Sequence, residues 1–269
     1  MTLPDWNILD LATAADANFV THAGWVQQRL PGMQFKEESG LTLIDSGLPC
    51  DTFNFVCRAR LTSDNAKDAV RQARTFFRSV RRPFSWWVGP VDQPPELGDL
   101  LIASGLERAE NELAMAADLT TLHVDTFVQP GLEIKRVHTS VQLRDFARIN
   151  AANWTPPDRL VLRFYELAES TLLANQSAIW LYVGYLNGIP VATAELTVGG
   201  GVVGLYNITT LKAFRRRGIG RALTLQPLLD AQMQGHQVAI LQAAKDGIGI
   251  YKRIGFQEFG EITEYKPPD

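Results

Sequence analysis

Residues 214–223 read FRRRGIGRAL, and three arginines and two glycines fall in the six positions from Arg215 to Gly220. Arginine offers a permanent charge and forked donors, while glycine lets the backbone take positive φ and come close to a ligand. At the start of a helix such a run can turn several N–H groups on one anion, for which a diphosphate is the natural guest. The same residues also suit a solvated basic turn, and by themselves they do not choose between the two. Other phosphate loops fit worse. There is no Gly-Lys-Ser/Thr, and Leu223 stands where a dinucleotide fingerprint needs its third glycine.

The elements around this run read clearly. LEIKRVHT (132–139) alternates as a strand, and SVQLRDFARI (140–149) has helical spacing with Ser140 as the expected cap. A second helix is predicted over about 159–174. AIWLYVGYL and IPVATAELT meet at Asn187-Gly188, a two-residue turn in which both residues must take positive φ. Gly199, Gly200 and Gly201 turn into a third strand, 202–210, after which the arginine-glycine run opens a helix reaching about Gly235. Pro227 lies inside that helix, where a missing N–H costs roughly 3 kcal/mol unless the helix kinks, so a kink is predicted. VAILQAA then forms a strand parallel to 202–210, GIGIYKRI a short helix, and FQEFGEITEYK a last strand.

The first half resembles a worn copy of this plan. TFNFVCRAR (52–60) matches GLYNITTLK (204–212), with Phe53-Asn54 opposite Tyr206-Asn207, and SGLERAENELAM (104–115) matches IGFQEFGEITEY (254–265). The offsets, 153 and 150 residues, differ by a short gap. No glycine occurs between Leu48 and Val88, so the first copy has no counterpart of the phosphate turn. Pro130-Gly131 marks the boundary. The expected organisation is a degenerate domain over 1–130 and an intact one over 131–269, each an α/β (α+β) unit with a mixed, mostly antiparallel sheet flanked by helices.

Downstream of the arginine run, Tyr251-Lys-Arg-Ile-Gly255-Phe256 sits on the helix after the next strand. Arg215-x-x-Gly218-x-Gly220 followed by this Tyr-x-x-x-Gly-Phe resembles the GNAT superfamily of acyl-CoA-dependent N-acetyltransferases, over about 131–269. The first half resembles the degenerate amino-terminal copy of tandem members. The resemblance implies acetyl-CoA as cosubstrate, without a metal. It places the pantetheine against strand groups of Ile208, Thr209 and Thr210, with an N–H near Ile208 facing the thioester oxygen. The diphosphate falls on the amides of Arg216, Arg217, Gly218, Ile219 and Gly220, with Arg216, Arg217 and Arg221 adding charge-assisted bonds and Arg215 in a fixed place of the motif. Family members often carry proline where Lys212 stands and a bulky aliphatic where Thr210 stands, departures that touch backbone contacts only. Tyr251 matches the general acid that protonates the departing thiolate. An amine must be neutral to attack, and Glu195 on the middle hairpin strand is the candidate base, although its alternating position equally suits a solvent-facing carboxylate. Trp154 either lines the acceptor site or packs.

Composition narrows the alternatives. A net charge of −3 over 269 residues gives no bulk attraction to nucleic acid or anionic lipid. Arg78, Arg81 and Arg82 ahead of Trp86 and Trp87 read as surface charge and core. Cys50 and Cys57 are too few for a disulfide framework, and His22, His123, His138 and His236 show no metal-ligand spacing. No targeting segment or membrane span is apparent, so a cytoplasmic protein is expected. It would act on a small-molecule or peptide amine, as a monomer with an internal pseudo-dimer or as a homodimer. The competing readings are a catalytically inactive acyl-CoA-binding or regulatory protein of the same fold, and an adaptor or nucleic-acid binder using its arginines.

Overall fold

The computed structural model describes residues 7–122 and 129–268. His123 and the segment beside the expected boundary lie outside the described residues.

In the second half the predicted strands and helices form largely where expected. Strand β6 (Leu132–Arg136) leads to α4 (Ser140–Ala151). Its cap is Thr139 and not Ser140. The Thr139 hydroxyl accepts from the Gln142 N–H while the Gln142 carboxamide accepts from the Thr139 N–H, a reciprocal box that Ser140 has no glutamine or glutamate at the right distance to build. Ser140 instead donates to Glu169. The expected single helix over 159–174 is two, α5 (Arg159–Leu167) and α6 (Glu169–Leu172), because the chain turns at fully buried Ala168 and brings Leu172 into the same apolar cluster as Phe164.

Strands β7 (Ile179–Leu186) and β8 (Ile189–Gly199) form the hairpin, with φ of 50° at Asn187 and 80° at Gly188. Strand β9 (Val202–Thr210) pairs with β8, but the register slips between Thr193 and Glu195, and Asn207 sits in the bulge at φ 50°. Helix α7 (Ile219–Met233) runs on as one element through buried Pro227. Strand β10 (Val238–Ala243), α8 (Ile248–Ile254) and β11 (Gln257–Lys266) complete this half.

The first half opens with α1 (Ile8–Gly24), whose apolar residues Leu11, Ala12, Ala15 and Phe19 recur at helical spacing. It continues with β1 (Gln34–Glu38), β2 (Leu41–Asp45), β3 (Phe55–Cys57), α2 (Ala66–Ser79), β4 (Ser85–Val88), α3 (Leu97–Ala103) and β5 (Glu107–Asp118). The strand expected over 52–60 is cut to three residues. A turn of 3₁₀ helix occupies Asp51–Phe53, and Arg58 leaves the β region at φ 55°.

The two halves do not stand apart. All eleven strands join in one sheet, in the order β1-β2-β3-β4-β11-β5-β10-β9-β8-β7-β6. Each half therefore sends its last strand into the other half's territory: β5 pairs with β10, and β11 with β4. At the seam β5 and β11 lie antiparallel, with Glu107 opposite Lys266 at one end and Ala116 opposite Gln257 at the other. A shift of 150 residues turns one of these pairs into the other, the offset at which the two sequence segments match. On either side sits one parallel pair, β3 with β4 and β9 with β10.

Helix α1 crosses the same seam, packing on β8 and β9. The glycine turn between those strands is shaped for it: a Cβ at Gly200 would come within 2.4 Å of the Ala14 carbonyl oxygen.

Candidate active site

The parallel ladder between β9 and β10 stops at Leu205 opposite Leu241, while β9 continues to Thr210. The strands part there, and the gap widens into a cavity of about 910 Å³. Eight of the ten residues expected to bind acetyl-CoA line it: Ile208, Thr209, Thr210, Arg215, Arg216, Gly218, Gly220 and Arg221. Arg217 and Ile219 turn away. Arg217 reaches the Ala213 carbonyl and lies over the Phe214 ring at 5.5 Å, and Ile219 is 1 % exposed in the core beneath α7.

Local chemistry explains the turn. Arg215 Nε donates to the Thr210 carbonyl at 2.9 Å, fastening the loop to the strand end. Arg216 at φ 61° and Gly218 at φ 76° reverse the chain, and Gly218 caps α7. Among the described residues the N–H groups of Arg216, Arg217, Gly218, Ile219 and Gly220 have no backbone acceptor; the first backbone bond at this end runs from Ala222 to the Gly218 carbonyl. These free donors beside arginine side chains fit an anionic diphosphate. Gly220 departs from the expectation of positive φ. It is helical, and its value lies in the missing side chain, since a Cβ there would point toward Thr210 Oγ1 at 3.5 Å.

Tyr251 forms part of the opposite wall, its ring edge-on to Phe256 at 6.0 Å. Burial, reinforced by the Glu112 carboxylate on β5, pushes its phenol up to about 12. The group stays protonated, and among the described residues its hydroxyl has no hydrogen-bond partner.

A second, smaller pocket of about 90 Å³ lies on the other side of the β9 bulge. Glu195 lines it but is no solvent-facing carboxylate: it is 3 % exposed. Its Oε1 accepts from Thr197 Oγ1 at 2.9 Å and meets His22 Nδ1 at 2.6 Å, while Oε2 accepts from Asn207 Nδ2 at 2.8 Å. Burial pushes this carboxyl upward, but the His22 charge and hydrogen bond, with those of Asn207 and Thr197, outweigh burial and hold it below the usual range. The His22 ring is stacked on Tyr206, centroids 3.8 Å apart and planes 5° from parallel. Trp154, 43 % exposed, stands at the mouth of this pocket. His22 and Asn207 were not legible as site residues. The only available signal was the bulge-prone Tyr206-Asn207 pair.

The two pockets meet. Asn153 lines both, and its Nδ2 donates to Thr209 Oγ1 at 3.0 Å. Asn207 faces the smaller pocket, and the next two residues of the same strand face the larger one.

Residues 176–258 match the family profile described as "Acetyltransferase (GNAT) domain". That stretch of the second half is similar to a GNAT domain. The matched stretch runs from just before β7 through the hairpin, the splayed strand, the arginine-glycine turn and Tyr251 into β11. Solved structures similar to the whole chain share its fold. A GCN5-related N-acetyltransferase from Kribbella flavida has a TM-score of 0.71 at 19% identity, with 96% of each chain covered. A tandem GNAT protein from the clavulanic acid biosynthesis pathway has a TM-score of 0.60 at 13% identity, covering 97% of this chain and 94% of that one. A GCN5-related N-acetyltransferase from Sphaerobacter thermophilus has a TM-score of 0.60 at 14% identity, covering 98% and 96%. Comparison with curated protein sequences finds no match. In the described residues no helix is long and apolar enough to cross a membrane, and no group of three or more metal-ligating side chains occurs.

Proposed function

We propose that the protein transfers an acetyl group from acetyl-CoA to a primary amine, with the donor in the larger cavity and the acceptor in the smaller. The observation that carries this reading is the junction at residues 207–209 and Asn153, where the two pockets open onto the same stretch of β9. Acetyl-CoA supplies the activated acyl carbon. The amides of Arg216 to Gly220 and the guanidinium groups of Arg215, Arg216 and Arg221 hold its diphosphate, and the unpaired edge of Ile208, Thr209 and Thr210 holds its pantetheine arm. The N–H near Ile208 stabilises charge on the thioester oxygen. Glu195 gives the acceptor pocket a fixed negative charge that favours an ammonium guest. The pocket's size suits the amine-bearing tip of a small molecule or of a peptide, and the expected setting is the cytoplasm.

Tyr251 serves the departing sulfur. A phenol at about 12 cannot hand its proton outright to a thiolate whose reference value is about 8.5, so its contribution is a hydrogen bond that tightens as the C–S bond breaks. Tyr251→Phe should therefore lower single-turnover transfer by about 10- to 100-fold, at or below the low end of general acid catalysis, with acetyl-CoA affinity nearly unchanged. Equal rates for the two proteins would reject this role.

The function itself is tested by calorimetric titration with acetyl-CoA and by release of free thiol in the presence of a panel of primary amines. One site per chain is expected, because the first half has no glycine turn after β3. Two equivalent sites would contradict it, and binding without thiol release for any amine would favour the inactive acyl-CoA-binding alternative.

A further inference from the structure

Glu195 has the charge of a base and borders the pocket, but it is nearly wholly buried. Both its oxygens already accept hydrogen bonds inside the fold. His22 is placed differently. Its Nδ1 lies 2.6 Å from Glu195 Oε1, and a carboxylate can only accept, so the Nδ1 proton is fixed there and the ring's other nitrogen carries the lone pair when neutral. That nitrogen, Nε2, has no partner among the described residues and is not sealed from solvent; the residue lines the smaller pocket. Stacking on Tyr206 fixes the plane of the ring.

Gln27 follows just beyond the end of α1. It is 3 % exposed, its Nε2 donates to the Phe53 carbonyl at 3.4 Å, and its Oε1 is buried with no partner while the residue lines the same pocket.

We infer that His22, delivered by the opening helix of the first half, is the base that takes the amine's proton, and that Glu195 is its positioning residue. This rests on the smaller pocket being the acceptor site. One N–H bond of the bound ammonium breaks and an Nε2–H bond forms, and the electron pair left on nitrogen attacks the thioester carbon. A second proton leaves that nitrogen as the C–N bond forms, and one proton reaches sulfur as the C–S bond breaks. The imidazolium then releases its proton to solvent. The first half is thereby part of the active site and not only a packing partner.

The test is single-turnover thiol release from acetyl-CoA as a function of pH. The acceptor is 2-phenylethylamine, chosen for the aromatic wall of Phe53, Phe164 and Tyr165, or water alone. The ionisable groups around His22 are Glu195 on β8, Tyr206 on β9 and Tyr165 on α5; Asp16, earlier on α1, is paired with Arg58 and Arg60. The rate should rise with pH as the base is freed. His22→Gln should lower it about 100-fold and erase that limb, with acetyl-CoA affinity unchanged by calorimetry. Glu195→Gln should lower it less, because Nδ1 loses the carboxylate that fixes its proton while Nε2 stays in place. Added imidazole should restore His22→Ala, which a packing defect would not allow. A folded His22→Gln protein with the parent rate and limb overturns the assignment, and so does a folded His22→Ala protein that imidazole leaves unchanged. A parent protein that binds acetyl-CoA but releases no thiol with either acceptor overturns instead the transferase reading beneath it.

Discussion

Gly218→Val is expected to weaken acetyl-CoA binding by about 100-fold while leaving the protein folded. Gly218 caps α7 at φ 76°, ψ −4°, a region that a β-branched residue enters only under strain of about 1–3 kcal/mol. The loop will relieve that strain by rotating, which swings the N–H groups of its neighbours off a common point. Hydrogen bonds to a charged group are worth about 1.5–3 kcal/mol each, so losing one or two gives the quoted factor. Gly220→Val should act by a different route, filling the groove beside Thr210 without disturbing the backbone. Calorimetric titration with acetyl-CoA, alongside circular dichroism, separates the cases. Parent-like affinity in a folded Gly218→Val protein would mean that the arginine-glycine turn is the solvated basic turn that its sequence equally allows.

That turn also marks where sequence was informative. The hairpin at Asn187-Gly188, the strand 202–210 and the helix from Ile219 rest on local chemistry: two adjacent residues able to take positive φ, alternation, and a glycine cap. Where two local solutions compete, sequence misleads by a residue. Ser140 looks like a cap until the Thr139–Gln142 box is seen to satisfy two donors at once. In the first half, a turn of 3₁₀ helix before β3 and the positive φ of Arg58 cut a convincing nine-residue pattern to three. The smaller pocket was beyond reach for a different reason. His22 and Glu195 are 173 positions apart, on a helix and a strand that meet only because the halves share one sheet. Testing histidines for metal spacing asks only about neighbours in sequence. The crossing of β5 and β11 lay nearer the surface, in two segments matching at one offset, but which sheet each would join is a property of pairing and not of pattern.

Asn18 ties α1 to β8 and β9, and its replacement is expected to be strongly destabilising. On α1, wholly buried, it places Nδ2 within 3.0 Å of the Thr197 and Gly199 carbonyls and 3.2 Å of the Val202 carbonyl, and Oδ1 accepts from the Tyr206 hydroxyl at 2.9 Å. The partner strand is cut to fit, since a Cβ at Gly204 would fall 2.1 Å from Asn18 Oδ1. Asn18→Leu keeps the branching at Cγ and removes every one of these bonds. Each buried polar group left unpaired costs about 1–3 kcal/mol; with some relaxation toward other partners, we expect a total near 3 kcal/mol. At about 2–4 °C per kcal/mol for a domain of this size, the melting temperature should fall by roughly 6–12 °C. The functional consequence follows from position. Asn18 lies one helical turn before His22, and Tyr206 is both its hydrogen-bond partner and the ring on which His22 stacks. Loosening α1 therefore displaces His22 from Glu195 while the arginine-glycine turn, on a different element, stays intact. Below its melting transition the Asn18→Leu protein should bind acetyl-CoA nearly as the parent does and transfer the acetyl group much more slowly. Thermal melts, calorimetry and single-turnover thiol release on one preparation test both halves of this expectation. An unchanged melting temperature would show that the three carbonyls find other donors, and equal losses of binding and transfer would show that α1 supports the whole domain and not the smaller pocket in particular.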